Sequence, residues 1–195
     1  MNSTKVKIIS TAGEIFSKKG FAGASIREIS NQCGVNVAAI NYHFESKEKL
    51  FLQVVSDNYF FLENEIFKIH SSGCSQEEFF LKVFRMFLKN STMFLNTYKL
   101  FLNDLVIPDV NFLLSSKGTF GPPGIDFATE IVKNNNPQLD EDRVFFVVKN
   151  IFSVMCHSAL AMSCPLIKDK ISQAKGYKKA EQEKNLTRLL NTLLK

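Results

Sequence analysis

Residues 25–44 constrain this chain more than any other stretch. Ser25-Ile26-Arg27-Glu28 has capping-box spacing, with Ser25 at the N-cap and Glu28 three residues on. The helix it opens is short and stops at Cys33-Gly34. Asn36 can cap a third helix, Val37 to Phe44. Gly34-Val35-Asn36 places glycine where the connection needs a left-handed φ. Two short helices across such a turn form a helix-turn-helix.

The rest of the chain reads as helix too, so the expected fold class is all-α with about nine or ten helices. Ser3 or Thr4 can cap a first helix, with the stripe Val6, Ile9, Ala12, Ile15 and Phe16 and Gly20 just past its end. Ser46 can cap a fourth helix, to about His70, broken by Gly73. Ser75-Gln76-Glu77-Glu78 is a second capping box, opening a helix to about Lys89. Further helices are predicted from Thr92 to Val106 and from Ile125 to Lys133, around a loop over 115–124. Asp140 can cap a long helix to Ser163 that is apolar nearly all round, so it must be buried on most sides. The last helix, from Lys178 to Leu194, is amphipathic. The basic residues after Lys168 read as its solvated face.

Charge and aromatic content divide at about residue 50. The net charge is +5, and +3 of it falls within residues 1–50. Of the nineteen Phe, sixteen lie between Phe51 and Phe152. The chain is a small basic head on a Phe-rich body. No run of about 18 residues is both apolar and uncharged, so no membrane partner is expected. Four Cys are too few for a disulfide scaffold at this length, which points to free thiols and a cytoplasmic setting. Cys156 and Cys164 read as free core cysteines, His157 has no partner spacing and is given no role, and no metal or cofactor is expected. No GxSxG, HExxH, P-loop or GxGxxG occurs, so the chain is not read as an enzyme.

On the third helix, Val37, Ile40 and Phe44 share the inward face. Ala38, Ala39 and Tyr42 lie opposite, flanked by Asn36 and His43. That face suits a major groove. Ala permits close approach and can touch a thymine methyl, and Asn can read adenine. Tyr, His and Lys can reach phosphates. Ser25 and Arg27 open the preceding helix and Lys47 opens the next, on either side of the reading face.

Three segments carry a family resemblance. They are Ile9-x-x-Ala12-x-x-Ile15-Phe16 with Gly20-Phe21 and Ala24-Ser25-Ile26-Arg27-Glu28-Ile29, then Cys33-Gly34-Val35, then Asn41-Tyr42-His43-Phe44-x-Ser46-Lys47-Glu48-x-Leu50-Phe51. Together they resemble the N-terminal signature of the TetR family of bacterial transcriptional regulators. Ser30 and Cys33 stand where that family usually has Ala, and Asn36 where Ser or Thr is usual. Further on, Leu102-Asn103-Asp104-Leu105 with Pro108 and Phe112 is faintly similar to the CecR-like branch, which usually has Arg-Glu at Asn103-Asp104.

The resemblance implies a head over residues 1–46 that docks on operator DNA through Arg27, Ala38, Ala39, Asn41, Tyr42, His43 and Lys47. It also implies an effector-binding and dimerising body over 47–195. The long helix and the last helix would pair two copies through Phe145, Val148, Phe152, Met155, Leu186, Leu189, Leu190 and Leu193. The effector is expected to be apolar or amphipathic, among Phe84, Phe87, Met93, Phe94, Tyr98 and Phe101. The expected function is a ligand-responsive repressor, bound as a homodimer to a palindromic operator and released by its effector. The alternatives are a small-molecule carrier or a protein-interaction module with a vestigial helix-turn-helix.

Overall fold

The computed structural model describes residues 3–91, 93, 121–163, 170 and 178–194. They form eight helices: α1 (Ser3–Gly23), α2 (Ile26–Cys33), α3 (Val37–Phe44), α4 (Lys47–Ser71), α5 (Gln76–Lys89), α6 (Ile125–Asn135), α7 (Glu141–Ser163) and α8 (Lys179–Leu193). No strand occurs among the described residues. The fold is all-α. The stretch expected as a helix over 92–106 lies outside the described residues apart from Met93. So do the Asn103-Asp104 segment, Cys164 and most of the loop over 115–124.

Local chemistry sets the helix starts. Ser25, Asn36 and Ser75 each accept a hydrogen bond from the backbone N–H three residues on. Ser46 Oγ accepts from Lys49 N at 3.2 Å, and Asp140 Oδ1 from Arg143 N at 2.7 Å. Each satisfies an N–H that the helix itself leaves unpaired. The end of α1 differs from expectation. Gly20, at φ 71°, kinks the helix instead of ending it, and a further turn runs to Gly23.

The chain divides into two compact units after Phe60, inside α4. The reason lies in the first half of α4. Leu50, Phe51, Val54 and Val55 are buried at 0–1% exposure. Phe51 meets the rings of Phe16 at 5.2 Å and Phe21 at 5.3 Å, both edge-on. The inward residues of α1 are Ile8, Ala12, Ile15 and Phe16, whereas Val6 is exposed. The six apolar residues of α1 before Gly20 offer two overlapping stripes, and Ile8 rather than Val6 completes the buried one.

The second unit is built on α7. Val144, Val147, Val148, Ile151, Phe152, Met155 and Ala159 are all buried. They share one core with Phe79, Phe80, Val83, Phe84 and Phe87 of α5, Ile125, Ala128 and Val132 of α6, and Leu186 and Leu190 of α8. By length and composition Glu141–Met162 could cross a membrane. Its buried stripe makes it the central core helix of this unit instead. Gly124, at φ 83°, starts α6 so close to α4 that a Cβ there would lie 2.6 Å from Ile66 Cγ2.

Burial corrects the expected pairing surface. Val148, Phe152, Met155, Leu186 and Leu190 are 0–3% exposed within one protomer, so they cannot meet a second copy. Leu189 and Leu193 are half-buried against the same core. Only Phe145 of the expected α7 set faces outward, together with Phe146 and Val154 at 41–47% exposure. A helix with apolar residues on nearly every side reveals poorly which of them are inside. Here α5, α6 and α8 cover the face that includes Val148 and Met155.

A carboxylate pair lies in this unit. Burial is the larger cause that raises Glu63 above its ordinary pKa of 4.5, and the Asp126 charge is the second. A raised carboxyl favours the folded state when protonated. That contribution is complete below the ordinary value and lost as pH rises through the raised one. Glu63→Gln should therefore stabilise the protein at neutral pH and flatten the pH dependence above the ordinary value of 4.5. Thermal unfolding of both proteins across that window checks this.

Candidate nucleic-acid interface

Helix α2 turns one face inward and the other out. Ile29, Ser30 and Cys33 are buried. The small side chains of Ser30 and Cys33 allow this: Ser30 Oγ donates to Arg27 O at 2.9 Å, and Cys33 Sγ donates to Lys7 O at 3.8 Å. Arg27, Asn31 and Gln32 point outward. Gly34 takes φ 67° and ψ 34°, and its N–H closes the helix on Asn31 O. Val35 N donates to Ser30 O at 3.0 Å. This left-handed turn aims α3, and only glycine adopts it without cost.

Helix α3 anchors through Ile40 and Phe44, at 1% and 4% exposure. Asn36, Ala38, Asn41 and Tyr42 are exposed, Tyr42 at 85%, and Ala39 and His43 are half-buried. An aromatic side chain so exposed gains little from folding, so its place on this face needs another reason. The His43 ring lies edge-on beside Tyr42, at 5.3 Å.

The two asparagines separate in role. Asn36 Oδ1 accepts from Ala39 N at 2.7 Å, so its amide is turned into the helix start. Asn41, which the helical wheel places near the core edge, is exposed, and its side-chain amide makes no hydrogen bond among the described residues. Both faces of its amide are open for the paired donor and acceptor contact that an adenine edge offers. Ser25 Oγ accepts from Glu28 N at 3.1 Å and keeps its own O–H to donate.

The basic residues sort by partner. Lys19 reaches Glu28 at 2.6 Å, Lys18 reaches Glu14 at 4.0 Å, and Lys49 pairs with Glu45. Glu28 thereby serves Lys19 as well as the cap. Lys5, Lys7, Arg27 and Lys47 have no carboxylate partner among the described residues. Arg27 projects from the first turn of α2 into solvent.

Lys47 is more than a surface charge. Its Nζ donates to Phe21 O at 3.0 Å and to Ala24 O at 3.1 Å, and lies 4.2 Å from the Phe21 ring centroid. It binds the end of α1 to the start of α4 and leaves one N–H for a phosphate. Nothing in the sequence signals these two carbonyls, which lie over twenty residues away. Lys47→Met should cost about 1–2 kcal/mol of stability through the lost charged hydrogen bonds and ring contact. A lowered unfolding midpoint in the absence of any ligand checks this.

The residues expected to hold an effector are less open. Phe84 and Phe87 lie at 2% and 0% exposure in the core of the second unit, with Phe87 edge-on to Phe152 at 6.3 Å. Met93 packs half-buried against that core. Phe94, Tyr98 and Phe101 lie outside the described residues. Cys33, Cys74 and Cys156 carry free thiols, and burial pushes the Cys156 thiol up to about 12. No cluster with metal-ligand composition occurs among the described residues.

Residues 8–54 match the family model described as bacterial regulatory proteins, tetR family. Over 57 residues the chain is 49% identical to the "Probable HTH-type transcriptional regulator YttP" of Bacillus subtilis, which covers 29% of this chain and 28% of that protein. Over 62 residues it is 36% identical to the biofilm operon icaADBC negative transcriptional regulator IcaR of Staphylococcus aureus, covering 32% and 33%. The chain thus spans a third or less of the length of these curated relatives. The fold likeness reaches further. The crystal structure of the transcriptional regulator FadR from Bacillus subtilis in complex with stearoyl-CoA superposes over 97% of both chains, with a TM-score of 0.67 and 14% identity.

Proposed function

With residues 8–54 a TetR-family N-terminal domain, we propose that this chain is a DNA-binding transcriptional regulator controlled by a small ligand. The observation that carries the reading is the outward face of α3. Asn41 and Tyr42 are exposed there with the small Ala38, and Arg27, with no carboxylate partner among the described residues, is exposed in the first turn of the preceding capped helix. Arg27, Ser25, Lys47 and His43 grip phosphates in this reading, and Ala38, Ala39, Asn41 and Tyr42 meet base edges. Asn36 holds the start of α3 in place. The N-termini of α2 and α3 add partial positive charge towards the backbone.

The proposed active form is a homodimer on a palindromic operator, with two α3 helices one turn of DNA apart, about 34–36 Å. Phe145, Phe146 and Val154 on the open face of α7 are the apolar surface offered to the second copy. The proposed effector is apolar or amphipathic and acts around Phe84, Phe87, Met93, Phe94, Tyr98 and Phe101. The solved FadR complex shows an amphipathic ligand, stearoyl-CoA, in a protein of this fold. Release from DNA follows if the effector prefers a conformer with a different head spacing, and α4 is the continuous element running from the first unit into the second. No catalytic step is assigned to the chain.

Salt titration of binding to duplex DNA tests the reading. A groove-reading dimer that displaces several counterions shows affinity falling steeply and linearly on log–log axes. A protein-interaction module or a ligand carrier shows no such slope.

A further inference from the structure

On one side of the second unit, α4 and α5 enclose a groove of about 490 Å³. Two helical stripes line it. Phe61, Glu65, Lys68, Ile69 and Ser72 come from α4, and Lys82, Arg85, Met86, Lys89 and Asn90 from α5 and its end. Both sets recur at three- and four-residue spacing, so each is one continuous face of its helix. Phe61, Ile69 and Met86 supply an apolar floor. Lys68, Lys82, Arg85 and Lys89 supply four cations, against the single carboxylate of Glu65.

Inside the groove only the Lys68 charge is cancelled by a lining carboxylate. Glu65 is already held by Lys68. Lys82 and Arg85 have acidic partners, but Glu78 at 3.0 Å and Glu183 at 2.8 Å lie outside the lining. Arg85 gives Nε and Nη2 to Glu183 and keeps its Nη1 donors. Lys89 is exposed and has no acidic partner among the described residues.

We propose that this groove binds a small amphipathic oxyanion, with a phosphate or carboxylate head among Lys82, Arg85 and Lys89 and a short apolar arm on Phe61, Ile69 and Met86. Charge and shape favour such a ligand over either half alone. A free inorganic anion leaves the floor wet, and a neutral apolar molecule leaves Lys89 and the remaining Arg85 donors unmatched. The groove is distinct from the Phe84 and Phe87 interior. It engages the outer stripe of α5, and Arg85 ties that stripe to α8.

The test uses the full-length protein without DNA, so its outcome is independent of whether the chain regulates transcription. Octyl phosphate, inorganic phosphate and octanol are titrated in turn while backbone amide resonances are followed. Octyl phosphate is expected to shift Ser72, Met86, Lys89 and Asn90 saturably, and more tightly than either of the other two. Lys89→Glu, on an exposed side chain, should weaken octyl phosphate about tenfold. Phe61→Ala should weaken octyl phosphate and leave inorganic phosphate unchanged. Equal affinity for octanol, equal affinity for inorganic phosphate, shifts centred elsewhere, or indifference to Lys89→Glu would each overturn the proposal.

Discussion

Replacing Arg27 and Tyr42 together by Ala should weaken operator binding about a hundredfold or more while leaving the fold intact. The size follows from two lost contacts of about 1–3 kcal/mol each, one to a phosphate and one in the groove. The absence of a stability effect follows from the structure. Tyr42 is 85% exposed. Arg27 is exposed, with no ion partner among the described residues. Neither change leaves a cavity or an unpaired buried group, so the unfolding midpoint should stay within the small range of surface substitutions. Affinity is measured at fixed moderate salt, because a salt difference alone can imitate such a loss. Retained binding by a folded double variant would remove α3 from the interface.

The second large effect is on stability, and it should be confined. Phe51→Ala removes a fully buried ring from the aromatic trio with Phe16 and Phe21. Truncating a buried Phe costs about 3–5 kcal/mol through lost transfer energy and the cavity left behind. That is a large share of what a small unit possesses. The trio also positions Lys47, whose Nζ lies over the Phe21 ring. Amide hydrogen exchange should therefore quicken across α1, α2 and α3, while the α5 and α7 amides keep their protection. DNA binding should fall with it, although Phe51 faces no groove. Uniform acceleration throughout the chain would show that the two compact units unfold as one.

What the sequence disclosed is what short-range chemistry decides. The caps at Ser25, Asn36, Ser46, Ser75 and Asp140 each involve an N–H three residues away, so their spacing alone reveals them. Gly34 is of the same kind, since a left-handed turn between two short helices names its own residue. The α3 face was equally legible, because eight residues at 100° each leave little choice of which side Ile40 and Phe44 bury.

Contacts between distant segments were not legible. Lys47 read as a phosphate grip because sequence shows a charge and not the two carbonyls that hold it. Spacing places Phe21 in a motif but does not show its ring packed against Phe16 and Phe51. On α7 the exposed Lys149, Ser153 and His157 mark an outer face, but Phe145, Phe146 and Val154 beside them are apolar, so apolar content alone does not separate the buried Val148 and Met155 from the open Phe146 and Val154. The groove beside α5 combines two stripes, each of which alone resembles an ordinary solvated helix face.

The central claim is that α3 reads DNA as one half of a symmetric pair. Selection from a random duplex library with the purified protein tests it most directly. The account predicts an enriched inverted repeat whose half-site centres lie one helical turn apart, about 34–36 Å, and no enrichment by the Arg27→Ala, Tyr42→Ala protein. Recovery of no sequence motif, or of the same motif by both proteins, would contradict it.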